Sequence, residues 1–262
     1  MKKILITGAK SYIGTSFEKY VNENFADAYA VETVDMIGDA WRNMSFSGYD
    51  AIFHVAGIAH QKETAENAGL YYKINRDLAF ETAEKAKREG VKQFVFLSSM
   101  SVYGVESGEI SLRDDVAPVS NYGKSKLQAE ELLTKQNDDA FMVTVLRPPM
   151  VYGKGCRGNY NFLKKWIKTF HVFPDYNNRR SMISIETLQA YVLNVIAEPR
   201  AGVLFPRDPE YIRTTDLVRQ IAQEEQIGVW YTKLFNPMIR CCLKIKLIRK
   251  VFGDYVYKDE GK

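Results

Sequence analysis

Tyr122 and Lys126 stand four residues apart in Ser120-Asn121-Tyr122-Gly123-Lys124-Ser125-Lys126, and the run Leu97-Ser98-Ser99-Met100-Ser101 precedes them. A tyrosine and a lysine at that spacing share one face of a helix. A free phenol titrates near ~10 and is a poor base at neutral pH unless a nearby cation stabilises its anion. Lys126 can supply that charge, and Ser99 can hold a substrate hydroxyl or a developing oxyanion by hydrogen bond. The chemistry is removal of a proton from an alcohol, the half of an oxidation that a hydride acceptor completes. The spacing alone is equally consistent with an exposed pair on an amphipathic helix: the chain has 16 tyrosines and a second such pair, Tyr160 and Lys164. Only the first pair follows a serine-rich strand end and opens a helical pattern, so Ser99, Tyr122 and Lys126 are the candidate catalytic residues.

A hydride acceptor needs a binding site, and the N-terminus offers one. The short apolar run Ile4-Leu5-Ile6 ends in Thr7-Gly8-Ala9-Lys10-Ser11-Tyr12-Ile13-Gly14, which opens a helical pattern running to about Asn24. A buried strand, a tight turn and a helix start place free backbone N–H groups where a pyrophosphate can sit. Asp35 follows the strand-like run Tyr29-Ala30-Val31-Glu32-Thr33-Val34, 21 residues after Gly14. An acid there can accept hydrogen bonds from the adenosine ribose hydroxyls and repels a 2′-phosphate, which favours NAD over NADP. The alternative for Asp35 is an ordinary turn residue at a strand end.

The elements that must position these groups alternate along the chain. Strands are expected near residues 2–7, 29–35, 51–55, 93–98, 141–147 and 202–205, with helices near 12–24, 67–89 and 119–136. Apolar strands alternating with helices argue an α/β fold, a Rossmann-type doubly wound parallel sheet. Only 14 residues separate Asp35 from Asp50, too few for the usual helix and third strand, so the adenine pocket is expected to be minimal, with Trp41 and Arg42 beside it. From Pro148 onward the pattern loosens into a small C-terminal substrate lobe. The expected division is 1–147 for cofactor binding and 148–262 for substrate, interleaved with the last sheet strand as one compact unit. With 46% hydrophobic and 26% charged residues, the 262-residue chain can build one sizeable core.

These motifs together resemble the extended short-chain dehydrogenases/reductases, in the branch of NAD-dependent nucleotide-sugar epimerases and dehydratases, over roughly residues 1 to 205. The resemblance implies that Gly8, Ser11, Tyr12, Ile13 and Gly14 hold the pyrophosphate of NAD, with Ser11 replacing the middle glycine of the family turn. A hydroxyl there can donate to a phosphate oxygen. His54-Val55-Ala56-Gly57 is similar to the strand end that backs the cofactor, implying contacts from Val55, Ala56 and Gly57. Asn75 stands where the family keeps an asparagine that orders the active-site water and the lysine. Leu146-Arg147-Pro148 resembles the strand exit along the nicotinamide, which implicates Pro148 beside Lys126. Asn159 and Arg180 match positions that meet the nucleotide diphosphate, a role that suits a guanidinium fork. Left to themselves, Asn159 reads as a loop residue and Arg180 as a solvated charge. His60 is close to where a sugar ring should lie and could hydrogen-bond a hydroxyl or N-acetyl group. Tyr103-Gly104 reads as a packing and loop element.

One departure narrows the reaction. Dehydratases of this type carry Thr-Asp-Glu where this chain has Ser99-Met100-Ser101, and methionine and serine cannot replace a carboxyl pair in water elimination. The reading that survives is NAD-dependent 4-epimerisation of a UDP-hexose or UDP-N-acetylhexosamine through a transient 4-keto intermediate. The alternatives are a nucleotide-linked 4-keto-6-deoxy-sugar reductase of surface-polysaccharide synthesis and a non-enzymatic NAD-binding module. The resemblance also implies a homodimer packed through the helices near 67–89 and 119–136.

Cys156, Cys241 and Cys242 have no ligand spacing with the three histidines, so no metal site is expected, and they read as reduced cytoplasmic thiols. No stretch reaches transmembrane length, and a net charge of +4 does not indicate nucleic acid. Met238 to Phe252 has the pattern of a basic amphipathic helix, either a lobe helix with lysines on its wet face or a segment able to touch an anionic membrane.

Overall fold

The computed structural model describes residues 1–59, 61–111, 114–156 and 158–258. In chain order the N-terminal half runs β1 (Lys2–Thr7), α1 (Tyr12–Asn24), β2 (Tyr29–Val34), α2 (Ala40–Asn43), β3 (Ala51–His54), α3 (Ala68–Tyr72), a π-helical turn (Lys73–Asp77), α4 (Leu78–Arg88), β4 (Gln93–Leu97) and a 3₁₀ turn (Met100–Tyr103). β5 (Gly108–Ile110), α5 (Asn121–Thr134), β6 (Met142–Leu146), β7 (Met150–Tyr152), α6 (Asn159–Phe170), β8 (Val172–Pro174) and β9 (Met182–Ser184) follow. The chain continues through α7 (Ile185–Ala197), β10 (Gly202–Leu204), α8 (Thr214–Glu224), β11 (Trp230–Thr232), α9 (Asn236–Cys242), α10 (Lys246–Phe252) and β12 (Tyr255–Tyr257).

Six strands form one parallel sheet in the order β10-β6-β4-β3-β1-β2. Alternate residues of β1 feed opposite layers: Leu5 joins Ala79, Ala83, Ala129 and Leu133 of α4 and α5, while Ile4 and Ile6 meet Phe17 and Val21 of α1 and Leu188 and Val192 of α7. Burial on both faces explains why the inner strands β1, β3, β4 and β6 read as largely apolar runs. After β2 the chain crosses to the other side of β1 to make β3, so the strand order reverses between β1 and β3, where open sheets of this kind bind ligands at their C-terminal ends.

The 14 residues between Asp35 and Asp50 yield only the single turn α2, so β2 is the sheet edge. Trp41, near which the adenine pocket is expected, is a core residue. Its indole is buried in the core near Phe46, because an aromatic side chain of that size gains more from close packing than from an edge position. Arg42 stacks over that indole and pairs with Glu81.

α7 and β10 return to the sheet, while α6, α8, α9 and α10 enclose a separate apolar cluster around Leu163, Ile167, Phe173 and Ile221. Met238–Phe252 is not one helix: α9 and α10 are separated at Leu243–Ile245, where Ile245 is extended. The break lets Ile239 on one helix and Phe252 on the other both reach the lobe core. β12 pairs with β5, and the Tyr257 phenol donates to the carbonyl of Arg147, tying the last described strand beneath the sheet's C-terminal edge.

Candidate active site

The glycine turn is built by close approach. Gly8 has φ +92°, and a Cβ there would lie 3.1 Å from the backbone of Ala56, so the ends of β1 and β3 touch only because this residue is glycine. Thr7 Oγ1 is hydrogen-bonded to His54 Nδ1 at 2.9 Å across the same two strands. Full burial holds the His54 pKa down at about 3, with the Lys126 charge adding to the effect, so the ring is neutral and its role is to lock the strand ends. Ser11 has an ordinary extended backbone, φ −76°, and therefore needs no glycine. Its hydroxyl accepts from Gly14 N–H at 3.0 Å and caps α1. That capping bond takes up a lone pair and leaves the hydroxyl proton to be directed elsewhere.

Tyr12 and Ile13 form the first turn of α1. Tyr12 donates to the carbonyl of Lys154 at 3.0 Å and packs on Gly155, linking the cradle to the lobe, while Ile13 packs into the sheet core. Asp35 lies just past β2, half-buried, accepting from Ile37 N–H and paired with Lys10 Nζ at 3.3 Å. The Ile37 N–H, with Lys10, holds its pKa below the usual carboxylate range.

Val55 and Ala56 are buried behind the cradle. A Cβ on Gly57 would meet Asn75 Oδ1 at 2.9 Å and Lys126 Nζ at 3.4 Å, so these two side chains flank the same small space. Asn75 lies in the π-helical turn and is fully buried. Its amide accepts from Ile58 N–H at 2.8 Å and donates to Ile58 O and Ser125 Oγ, each at 3.1 Å. The side chain thus clamps the loop after β3 to α5, and its hydrogen bonds go there rather than to Lys126.

Lys126 Nζ donates to Leu97 O at 2.8 Å and lies 4.6 Å from the Phe96 ring centroid. Burial lowers its pKa to about 8 despite the opposing pull of Glu130. Ser99 caps the 3₁₀ turn through Ser101 N–H and shares a hydroxyl contact with Ser101. It also faces the Tyr122 phenol: burial raises the phenol pKa, Ser99 works against that rise, and nearby Tyr71 adds to it. Pro148 O accepts from Met100 N–H at 2.9 Å, which fixes the β6 exit beside Ser99. Ser99, Tyr122, Lys126, Asn75 and Gly57 therefore cluster at the C-terminal ends of β3 and β4, next to the Gly8 turn.

Asn159 and Arg180 do not join that cluster. They line a cavity of about 270 Å³ with Met150, Phe162, Thr214 and Lys250. Arg180 is buried, donates to the carbonyls of Lys250 and Gly253, and lies over the Tyr255 ring. Tyr255 in turn reaches Met100 O at 3.5 Å, so one aromatic side chain of β12 stands between this cavity and the Ser99 region. His60 lies outside the described residues. Tyr160 hydrogen-bonds Glu224 and Lys164 pairs with Glu225, so the second tyrosine–lysine pair fastens α6 to the α8 end. Tyr103 is buried and its phenol accepts from Arg147; a Cβ on Gly104 would strike Ala117 O.

Two acids escaped the reading of the sequence. Glu63 accepts from Asn121 and Tyr122 N–H at 2.9 and 3.1 Å, placing a carboxylate at the N-terminus of α5, where the helix dipole favours it. Nothing local announces a partner 59 positions away. Glu130 is four residues after Lys126 on the same helix face, so spacing could have found it; buried with Arg147, it forms a charge-assisted pair at 2.6 Å and bonds Ser98.

No group of three or more histidines, cysteines or acids among the described residues could hold a metal ion. The residues fit a dinucleotide: Gly57 is exposed and a Cβ on it would press on Asn75 and Lys126, Gly8 lets the ends of β1 and β3 close on each other, and the first turn of α1 starts beside them.

The sequence profile of the NAD dependent epimerase/dehydratase family matches residues 4–204. The chain is 27% identical to a UDP-glucose 4-epimerase of Vibrio cholerae, over 90% of this chain and 82% of that protein. It is 28% identical to the N-acetyl-alpha-D-glucosaminyl-diphospho-ditrans,octacis-undecaprenol 4-epimerase of Escherichia coli O157:H7, over 76% of this chain and 64% of that protein. Among solved structures, the NAD complex of a Bacillus cereus UDP-glucuronic acid 4-epimerase superposes with a TM-score of 0.72 at 20% identity, covering 88% of this chain and 85% of that one. A dTDP-4-dehydrorhamnose reductase from Clostridium acetobutylicum gives 0.70 at 23% identity, covering 88% and 82%. At these identities the structural likeness speaks for the fold.

Proposed function

Because the chain belongs to the NAD-dependent epimerase/dehydratase family, we propose that it is an NAD-dependent nucleotide-sugar 4-epimerase acting on a UDP-hexose or UDP-N-acetylhexosamine. The observation that carries this reading is the meeting of Ser99 and Tyr122 beside Lys126 and the Gly57 space, at the strand ends where the glycine turn opens. NAD bound there would take up a hydride from the sugar C4 and give it back. Gly8, Ser11, Tyr12, Ile13 and Gly14 would hold its pyrophosphate, Asp35 its adenosine ribose, and Val55, Ala56, Gly57, Lys126 and Pro148 the remainder.

Tyr122 takes the proton of the C4 hydroxyl and later returns it, so the phenol must ionise within the loaded site. Burial raises its pKa in the free protein, so ionisation calls for added stabilisation, which the Lys126 ammonium and the bound ligands would supply. Ser99 donates to the same oxygen as it becomes a carbonyl. Asn75 acts through others, holding Ile58 and Ser125. Asn159 and Arg180 hold the diphosphate in their shared cavity, and His60 is proposed to meet the sugar. The working unit of this reading is a cytoplasmic homodimer paired through α4 and α5, in keeping with the resemblance.

A second reading of the substrate has support in the cavity itself. Phe162, Leu247 and Val251 make part of its lining apolar, which suits a sugar diphosphate carried on a polyprenol, the kind of substrate named for the E. coli relative.

Incubation with UDP-glucose or UDP-N-acetylglucosamine and NAD, followed by product separation, should give the galacto epimer with no net change at the nicotinamide absorbance. Reaction only with a nucleotide-linked 4-keto-6-deoxy sugar, with one reduced cofactor consumed per sugar, replaces the epimerase with the reductase. NAD binding with no reaction on any of these, or on a polyprenyl diphosphate sugar, leaves the binding module.

A further inference from the structure

Eight of the fifteen exposed large hydrophobic side chains among the described residues fall within residues 162–170 and 230–247 of the lobe. Ring contacts, strand pairing and a shared cavity lining link five of them, Phe162, Trp166, Phe170, Trp230 and Leu247. Phe162, Trp166 and Phe170 make a ladder along α6, with ring centroids 6.0 and 5.1 Å apart. Trp230 pairs with Val172 in the β8–β11 ladder and its N–H donates to His171 O, so it stands just beyond Phe170. At the other end, Phe162, Leu247 and Lys250 line the Asn159–Arg180 cavity together. α9 and α10 turn Ile239, Ile248 and Phe252 inward, which leaves Met238, Ile245 and Leu247 facing out.

Charge accompanies the apolar groups. Residues 226–253 contain six lysines and arginines and no acid, in a chain whose total is only +4, so the remainder is net acidic. Glu225 takes up Lys164 and Lys168, and Glu106 takes up Lys246 and Arg249. Lys165, Lys233, Arg240, Lys244 and Lys250 remain exposed around the patch.

A second copy of this face would oppose it with the same charge. Stacked nucleobases would use the two indoles but not the aliphatic Met238, Ile245 and Leu247. Tryptophan and aliphatic side chains bordered by lysine and arginine match the boundary between anionic headgroups and acyl chains. No helix among the described residues is long and apolar enough to cross a membrane, so the contact would be in plane. We propose that this face docks the protein peripherally on an anionic lipid bilayer, with the mouth of the Asn159–Arg180 cavity turned toward the lipid. The inference stands apart from the reaction, since docking is read without turnover.

The test uses the full-length protein with vesicles of phosphatidylcholine, alone or with phosphatidylglycerol, in a sedimentation assay. The protein should pellet with the anionic vesicles, and its tryptophan emission should shift to the blue, reported by exposed Trp166 and Trp230 against the buried Trp41. K233E/K244E should lower the partition coefficient by about tenfold or more. W230S/M238S, outside the cofactor and diphosphate sites, should lower it similarly while leaving the melting temperature and NAD affinity unchanged. Absence of binding to anionic vesicles overturns the proposal. So does binding that neither double variant weakens, or a dimer that W230S/M238S dissociates with no change in lipid binding.

Discussion

The Lys126 ammonium donates to the Leu97 carbonyl oxygen at 2.8 Å, which ties the middle of α5 to the C-terminal end of β4. Tyr122 is one turn earlier on α5 and Ser99 two residues after Leu97, so this bond sets the distance between phenol and serine. The side chain that supplies charge also fixes the geometry.

Tyr122→Phe should reduce turnover by at least about a hundredfold, the loss typical of a proton-transferring group, while NAD affinity stays within a few-fold. Tyr160→Phe is the control, because its phenol is engaged with Glu224 in the lobe. Turnover of Tyr122→Phe near that of the parent, measured alongside the control, would remove Tyr122 from the mechanism.

Lys126 is charged only below about pH 8, because burial disfavours its ammonium. Turnover should therefore decline on the alkaline side as this proton is lost near that pH. Lys126→Arg keeps its charge throughout and should remove the alkaline limb, even if the maximum rate falls. An identical limb in the variant would assign the titration to another group.

Asp35 already attracts Lys10, and its carboxylate should repel a 2′-phosphate. NAD should bind at least about tenfold more tightly than NADP by calorimetry. Asp35→Asn removes the repulsion and releases Lys10, so the gap should narrow chiefly through tighter NADP binding. Equal affinities in the parent would mean that Asp35 does not face the ribose.

His54 titrates near 3 when folded, against 6.5 ordinarily. The unfolded chain therefore binds more protons between those values, and stability present above about pH 6.5 is lost as pH falls toward 3. This one group contributes a slope of about 1.4 kcal/mol per pH unit within that window. Urea unfolding from pH 7 to pH 4 should show a shallower loss in His54→Gln than in the parent; parallel curves would contradict the buried neutral imidazole.

The sequence by itself determined the parallel sheet, since runs such as Ile4-Leu5-Ile6 and Phe94-Val95-Phe96, separated by helical patterns, can be buried only between two helical layers. The 14 residues between Asp35 and Asp50 also showed that the usual helix and third strand do not fit there, and in the folded sheet β2 is accordingly an edge. Gly8 and the Tyr122–Lys126 pair were legible because a tight turn and a helix face are local geometry. Tertiary structure alone decided what depends on distant partners: the Thr7–His54 lock, the Glu63 carboxylate on α5, the turn of Arg180 toward the α10 end, and the burial of Trp41. The same holds for the split between α9 and α10, where two helices reach one core that a single straight helix would miss. Local spacing carries no information about which surfaces meet, and close packing in the folded chain supplies it.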